Sequence, residues 1–386
     1  MELKDKYKIL EQKVNEIRVR ETKELGQIDL DKIQELDNKW EEHKSNGLKM
    51  IEDAYSPLKL IAGAKEYAYG RVLEVFATHN ILHGQYDALE EEKYWSSVWD
   101  FRGPVNTLAW KRGHNGLHHT DTNVLGADPD LNHGILRTDP GVPWDKFHLL
   151  QIPYYLFTVY PKFLEKFDNQ MMGHAEAYRN RVLKEGNKGY TLVHPEKREL
   201  TKKEVAKAFV KSEKGIRLWK KENIDDIAKN SKASTWKVRQ GLRLAEIITN
   251  YEIALTIQPT HQAEEKYPEG YTPESKGEWY FMQIETTRNY ELENQERLDY
   301  YGGLNYQIEH HLFPDIPHWR YMHIAREIKN ICSELGIQYR EDRTRRQTFM
   351  RFLKEVWKFS LPDSVRHMFY GKTKLENVLT SGEADA

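Results

Sequence analysis

The chain is 386 residues long, with a formal net charge of −2 and 31% charged residues. That is enough for one large domain or two ordinary ones with a substantial core, and the balance points to neither nucleic acid nor an anionic surface as partner. Its single cysteine, Cys332, excludes an intramolecular disulfide and fits a reducing compartment, as a small buried residue beside Leu335 and Ile337. A mean hydropathy of −0.80 reads as a soluble, cytoplasmic protein, and no stretch offers the about 20 apolar residues of a spanning helix.

The opening Met1 to Lys8 is charged and lacks the apolar core of a signal peptide. Leu3, Tyr7, Leu10, Val14 and Ile17 recur at helical steps, so an amphipathic helix is expected, then a break near Gly26 and a second helix over 30–42. These fill a first segment, 1–57; a helical body with the metal site is expected over 58–345, and a C-terminal helix with a polar tail over 346–386. Pro57 opens the body's first helix, which carries Leu60, Ala64, Tyr67, Val72, Val75 and Phe76 toward His79.

Residues 120–143 are rich in Asp, Asn, Gly and Pro and predict a loop. Helical patterns return over 147–184, 201–230 and 236–258. Within the first, Phe147 to Tyr160 is uncharged, too short to span a membrane and bounded by Lys146 and Lys162. Pro259 and residues 267–273 mark another loop, and His318 to Leu335 predicts a closing helix. Strand signals are scarce and no glycine-rich phosphate loop or repeat is visible. The predicted architecture is all-α.

Three histidine clusters dominate the chain. They are His79-Asn-Ile-Leu-His83, His114-Asn-Gly-Leu-His118-His119 and Gln307-Ile-Glu-His310-His311. Residues four apart on a helix share a face, so His79 with His83, and His114 with His118, can present two imidazoles in one direction. Neutral imidazoles converging from separate helices hold transition metals. Gln307 and Glu309 flank the third pair, where a side chain can ligate or orient a ring from behind. His261 follows a helix interrupted at Pro259. No Glu-x-x-His pair of the carboxylate-bridged di-iron bundles occurs, so the expected site is dominated by imidazole. Among the other histidines, His43, His174 and His367 are expected to be exposed, and His133, His148 and His194 to lie at the surface or to cap. For His318 and His323, packing or hydrogen bonding is expected.

With these residues the chain resembles the membrane fatty acyl desaturases of the bacterial acyl-CoA or acyl-lipid type, marked by three histidine boxes in this order. The likeness extends to Trp110 through Gly126 with Asp128 and Asp130, to Gln283 through Tyr290, and to Gly302 through Pro314. The resemblance implies four membrane-type helices with a helical cap, and two iron ions held by His79, His83, His114, His118, His119, His261, His310 and His311. Gln307 stands where some members have histidine; Glu309, Asn305 and Asp130 are its candidate outer groups. It further implies oxygen-dependent insertion of a C=C bond into a fatty acyl chain. Electrons would come from an external ferredoxin-type or cytochrome b5-type donor, since no flavin, dinucleotide or haem motif is present.

The chain departs from that family where its helices should be apolar, at Lys65, Glu66, Arg71 and Glu74, and again at Arg239, Arg243, Glu246 and Glu252. A polar belt around retained histidines is the pattern of a soluble, designed analogue that keeps fold and metal with little or no catalysis. A related di-iron hydroxylase is a second alternative, and a zinc-binding module a third.

Overall fold

The computed structural model describes residues 2–131, 136–173 and 202–381. The fold is all-α; its only regular strands among the described residues are the two-residue parallel pair Asn289–Tyr290 and Glu341–Asp342. Helix α1 (Leu3–Lys23) buries Leu10, Val14 and Ile17 at steps of four and three. Helix α2 (Gln27–Glu52) runs well past the expected 30–42, because Trp40, Gly47 and Ile51 continue its buried stripe. That stripe lies along α3 (Pro57–Leu82), which begins with a Ser56 cap and Pro57 in its first turn. The two backbones approach closely. A Cβ on Gly47 would meet the Tyr67 backbone nitrogen at 2.3 Å, and one on Gly70 would meet the Trp40 carbonyl at 2.6 Å.

From Gly70 to Leu82 every residue of α3 is buried, which makes it the central helix. It is flanked by α2 and by α6 (Thr235–Ile257). Between them in sequence come α4 (Thr107–Trp110), capped by Asn106 and continued as π-helical turns over Lys111–His118, and α5 (Lys202–Lys220). The pattern expected as one helix over 147–184 is instead a series of short 3-10, α and π turns up to residue 162, followed by helix over 163–173. Pro153 and Pro161 each lack an N–H for the ladder. Positions 174–184 of that pattern lie outside the described residues, as do His133, His174 and His194.

A second core forms where α1 packs on α7 (Lys276–Glu285) and α9 (Tyr321–Leu335), with the short α8 (Gln307–Leu312) held between α7 and α9. Cys332 is buried there with Leu335 and Ile337. Helix α10 (Arg345–Ser360) closes the first core from the C-terminal side.

The charges that interrupt the apolar helices are largely paired inside the fold. Arg71 is buried, bonding Glu74 on its own helix, Glu246 of α6 at 2.9 Å and the Arg102 carbonyl at 2.8 Å, while Lys44 of α2 reaches Glu74 at 3.0 Å. Glu252 pairs with Arg345 at 2.7 Å. No described helix is long and apolar enough to cross a membrane.

The α1–α2 turn is clamped to the start of α9 by Arg320, which donates to Asp29 through Nε (2.9 Å) and Nη2 (2.8 Å) and to Glu21 through Nη1 (3.1 Å). Burial alone would raise both carboxyls, but hydrogen bonds from His323, Arg20 and Arg320 at Glu21, and from Arg320, Gly26 and Trp319 at Asp29, hold each below its ordinary value. Depressed carboxyls stabilise the fold fully above their unfolded pKa of about 4, and that contribution disappears as pH falls through the lower folded values. Arg320→Met should therefore cost about 3 kcal/mol at neutral pH, as for a buried pair losing one partner. It should also flatten the acid loss of stability below about pH 4. Urea midpoints of both chains across pH 2–7 check this; parallel acid limbs would contradict the clamp.

Candidate metal centre

Eight histidines meet at the seam between the two cores. His79 lies on the last turn of α3 and His83 caps it, so both project from one end of the central helix. His114 and His118 sit in the π-helical turns after α4, where the His119 N–H bonds the His114 carbonyl, five residues back, at 3.1 Å. A π-turn aligns residues five apart. It thereby sets His119 Nε2 3.3 Å from His114 Nε2, a juxtaposition that ordinary α spacing does not supply. His310 and His311 come from α8, and His261 follows the turn that ends α6.

Gly302 and Gly303, with φ of +56° and +76°, make the bend that delivers α8. A side chain at Gly302 would strike Phe76, and one at Gly303 would strike His318, so both positions require glycine. The Gly302 carbonyl accepts from Asn80 Nδ2 at 2.9 Å, which ties the third cluster to the first.

The donor atoms fall into overlapping groups. His79, His83, His114 and His310 form one; His118, His261 and His311 form another. His119 with His310 and His311 links them. Within each group all donor atoms lie within 4.8 Å of one another.

Five of the eight rings are held from behind through Nδ1. His79 meets Asn80 Oδ1 (3.2 Å), His114 meets Asp130 (3.1 Å) and His118 meets Asp128 (2.9 Å). His261 meets the Thr286 carbonyl (3.3 Å) and His311 meets Gln283 Oε1 (2.9 Å). A proton held on Nδ1 leaves Nε2 as a lone pair facing the centre, the arrangement that ligating histidines adopt.

His79 Nε2 and His114 Nε2 then face each other at 3.0 Å. The inner nitrogens His83 Nε2, His119 Nδ1, His311 Nε2 and both of His310 are buried with no hydrogen-bond partner among the described residues. Burial lowers the affinity of these rings for protons: His79 is pushed down to about 4, and His83, His114, His119, His310 and His311 lie well below the usual histidine value, their neighbours adding repulsion. A cluster of neutral, inward lone pairs that cannot be relieved by protons fits metal ions. His118 is the exception. Burial lowers it, but Asp128 and Asp130 overcome that and lift it to about 9, while Asp128 is held below its ordinary value and Asp130 is raised to about 7 by burial.

The remaining expected residues are placed as follows. Asp130 stands behind His114, and the Gln307 amide meets His261 Nε2 at 3.2 Å. Glu309 and Asn305 are not brought to the imidazoles. Glu309 accepts from Asn289 (2.7 Å) and Tyr339 (3.0 Å), and Asn305 donates to the Tyr290 and Glu291 carbonyls. Burial raises Glu309 to about 8, and those two donors partly offset it.

Outside the centre, His318 is buried against Asn80 at 3.1 Å and His323 bonds Glu21. His148 is buried and accepts the Asp145 N–H as a cap. His43 and His367 are half-buried rather than exposed, each paired with a glutamate, Glu66 and Glu376 respectively. Asp128, Asn80, Gln283 and Thr286 were not singled out as site residues. The Asp128-Pro-Asp130 spacing just after a histidine cluster was the one available signal.

A largely apolar cavity abuts this centre. Val75, Phe76, Phe101, Trp110, Phe163, Leu164, Phe167, Ile253, Ile257 and Leu304 line it, together with His79, His114, His261, Asp130, Gln258 and Gln262.

A sequence model of the fatty acid desaturase family matches residues 247–343. The NADPH-dependent stearoyl-CoA 9-desaturase of Mycobacterium tuberculosis is 26% identical over 302 residues, covering 74% of this chain and 64% of that protein. The chain is thus similar to fatty acid desaturases, at modest identity. The sn-1 linoleoyl-lipid 6-desaturases of Arthrospira platensis and of a Synechocystis strain are 29% and 28% identical, over 275 and 277 residues, each covering 68% of this chain and 67% and 69% of their own lengths. The chain thus spans about 64% of the length of the mycobacterial relative. No solved structure matches. The family match contains His261, His310 and His311 but not the first two clusters, whose five histidines the fold brings beside them.

If the rings are tuned from behind, Asp128→Asn should weaken metal affinity about 10–100-fold while the chain still folds. Glu309→Gln, turned away from the imidazoles, should leave affinity unchanged. Competition titration with a chromophoric chelator checks both, and equal effects would contradict the assignment.

Proposed function

We propose that the chain is an oxygen-dependent fatty acyl desaturase whose eight histidines hold two iron ions. The observation that carries this reading is the convergence of inward imidazole nitrogens in two groups, linked through His119, beside a largely apolar cavity. Iron bound there would supply the activation of dioxygen needed to remove two hydrogens from adjacent methylenes. The chain's own residues do the rest. Asn80, Asp128, Asp130, Gln283 and the Thr286 carbonyl orient the rings, and Phe76, Phe101, Trp110, Phe163 and Leu304 exclude water from the space beside them. The names of the relatives support a fatty acyl substrate, and the electrons would come from a donor of ferredoxin or cytochrome b5 type.

One observation favours a second reading, a scaffold that binds metal with little or no turnover. The cavity offers only about 40 Å³, room for roughly three waters and not for an acyl chain unless its walls move. A designed origin draws no support from the relatives. Desaturation and hydroxylation by a related di-iron enzyme differ in product, which mass spectrometry of the acyl chain separates.

The chain purified with ferrous iron should carry about two irons, and His118→Ala and His310→Ala should each lower that number. Iron content by plasma emission spectrometry is the check. Wild-type chain without iron would overturn the metal centre, whereas two irons without acyl turnover would select the scaffold.

A further inference from the structure

We propose that Gln258 selects an acyl chain that bears a hydroxyl group, which the glutamine amide meets inside the cavity beside the histidines. The proposal rests on the acyl-chain reading above and, like it, requires the cavity walls to open for the chain. Helix α6 gives that wall Ile253 and Ile257, one turn apart, and then ends; the 3-10 turn Gln258–Thr260 leads on to His261. An apolar residue at 258 would complete the wall. Instead a glutamine lines it, 2% exposed, with neither Oε1 nor Nε2 hydrogen-bonded among the described residues. A buried amide left unpaired costs stability, so its presence calls for a partner from outside the chain.

The neighbouring amides are paired. Gln262 donates to the Asp130 carbonyl at 2.8 Å and accepts from Thr138 at 3.0 Å, and Gln307 meets His261 at 3.2 Å. A second orphaned oxygen belongs to the same cavity: Asp130 Oδ2 holds His114 at 3.1 Å, while Oδ1 has no partner among the described residues. One donor, Gln258 Nε2, and two acceptors, Gln258 Oε1 and Asp130 Oδ1, therefore border a largely apolar space. A hydroxyl both accepts and donates, so it can use the amide N–H together with one of the oxygens. A keto or ester carbonyl only accepts, and a methylene pairs with none of them. Displacing a water held there by a methylene would lose that water's hydrogen bonds, whereas a hydroxyl reproduces them, so the preference stands with or without solvent in the cavity. Because His79, His114 and His261 line the same space, the hydroxyl would lie near the carbons presented to the centre.

The test is equilibrium dialysis of the full chain, kept anaerobic so that nothing turns over, against octadecanoate and a set of hydroxyoctadecanoates that differ in the position of the hydroxyl. At least one hydroxylated form should bind about tenfold or more tightly than octadecanoate, with the matching oxo-octadecanoate between them. Gln258→Met, which keeps the length of the side chain, should erase that preference by weakening the hydroxylated ligand and strengthening the plain one. Its urea midpoint should hold or rise, because a buried unpaired amide is removed. Equal affinity of the wild-type chain for octadecanoate and for every hydroxylated form would overturn the proposal and leave the acyl-chain reading standing. Binding of none of them would overturn both. A Gln258→Met chain with a lowered urea midpoint and both ligands weakened alike would make Gln258 a structural residue, which also overturns the proposal. So would conversion of octadecanoate to a hydroxyoctadecanoate by the iron-loaded chain under oxygen and a reductant, since the amide would then meet a product.

Discussion

The hydrogen bonds behind the imidazoles are what the rest of this structure depends on. Buried rings with free lone pairs repel one another and cost desolvation, so a cluster of eight is stable only if each ring is fixed. Asn80, Asp130, Asp128, Thr286 and Gln283 fix five of them at Nδ1. Burial keeps most of the rings neutral, and the inner nitrogens remain available for a cation. A cation held there would couple its binding to folding, because it would relieve the repulsion that the fold has to contain.

The two cores meet at this seam for a related reason. The end of α3, the π-turns after α4, and α8 each belong to a different part of the chain, and none could place its histidines alone. Gly302 and Gly303 bring α8 against α3, and α1 secures the far side of α8 through α7 and α9. The buried ion cluster of Arg71, Glu74, Glu246 and Lys44 lets α3 and α6 carry charge and still pack as interior helices. These charges separate the chain from a membrane-spanning pattern without disturbing the cavity wall formed by Val75, Phe76, Ile253 and Ile257.

Much of this was legible in the residues. The His-x-x-x-His steps, the adjacent pairs and His261 all mark positions that converge, and the helical character of the chain follows from periodicity. The partners behind the rings were harder to see, because Asp128, Asn80 and Gln283 become outer groups only when distant segments meet. The π-turn at Lys111–His118 has no signature in apolar spacing, yet it decides which face His119 presents. Glu309 shows the converse: adjacent to a ligand candidate in sequence, it points to Asn289 and Tyr339 because α8 turns it away. The break over 146–162 was not foreseen, although Pro153 and Pro161 lie within it, and only the structure shows Gln151 inside and Phe157 outside.

The most direct test of the account is anomalous diffraction at the iron edge from iron-soaked crystals. The account predicts two peaks, one among His79, His83, His114 and His310 and the other among His118, His261 and His311. A single peak elsewhere, or iron only at carboxylates away from these histidines such as Asp363 and Glu376, would contradict it.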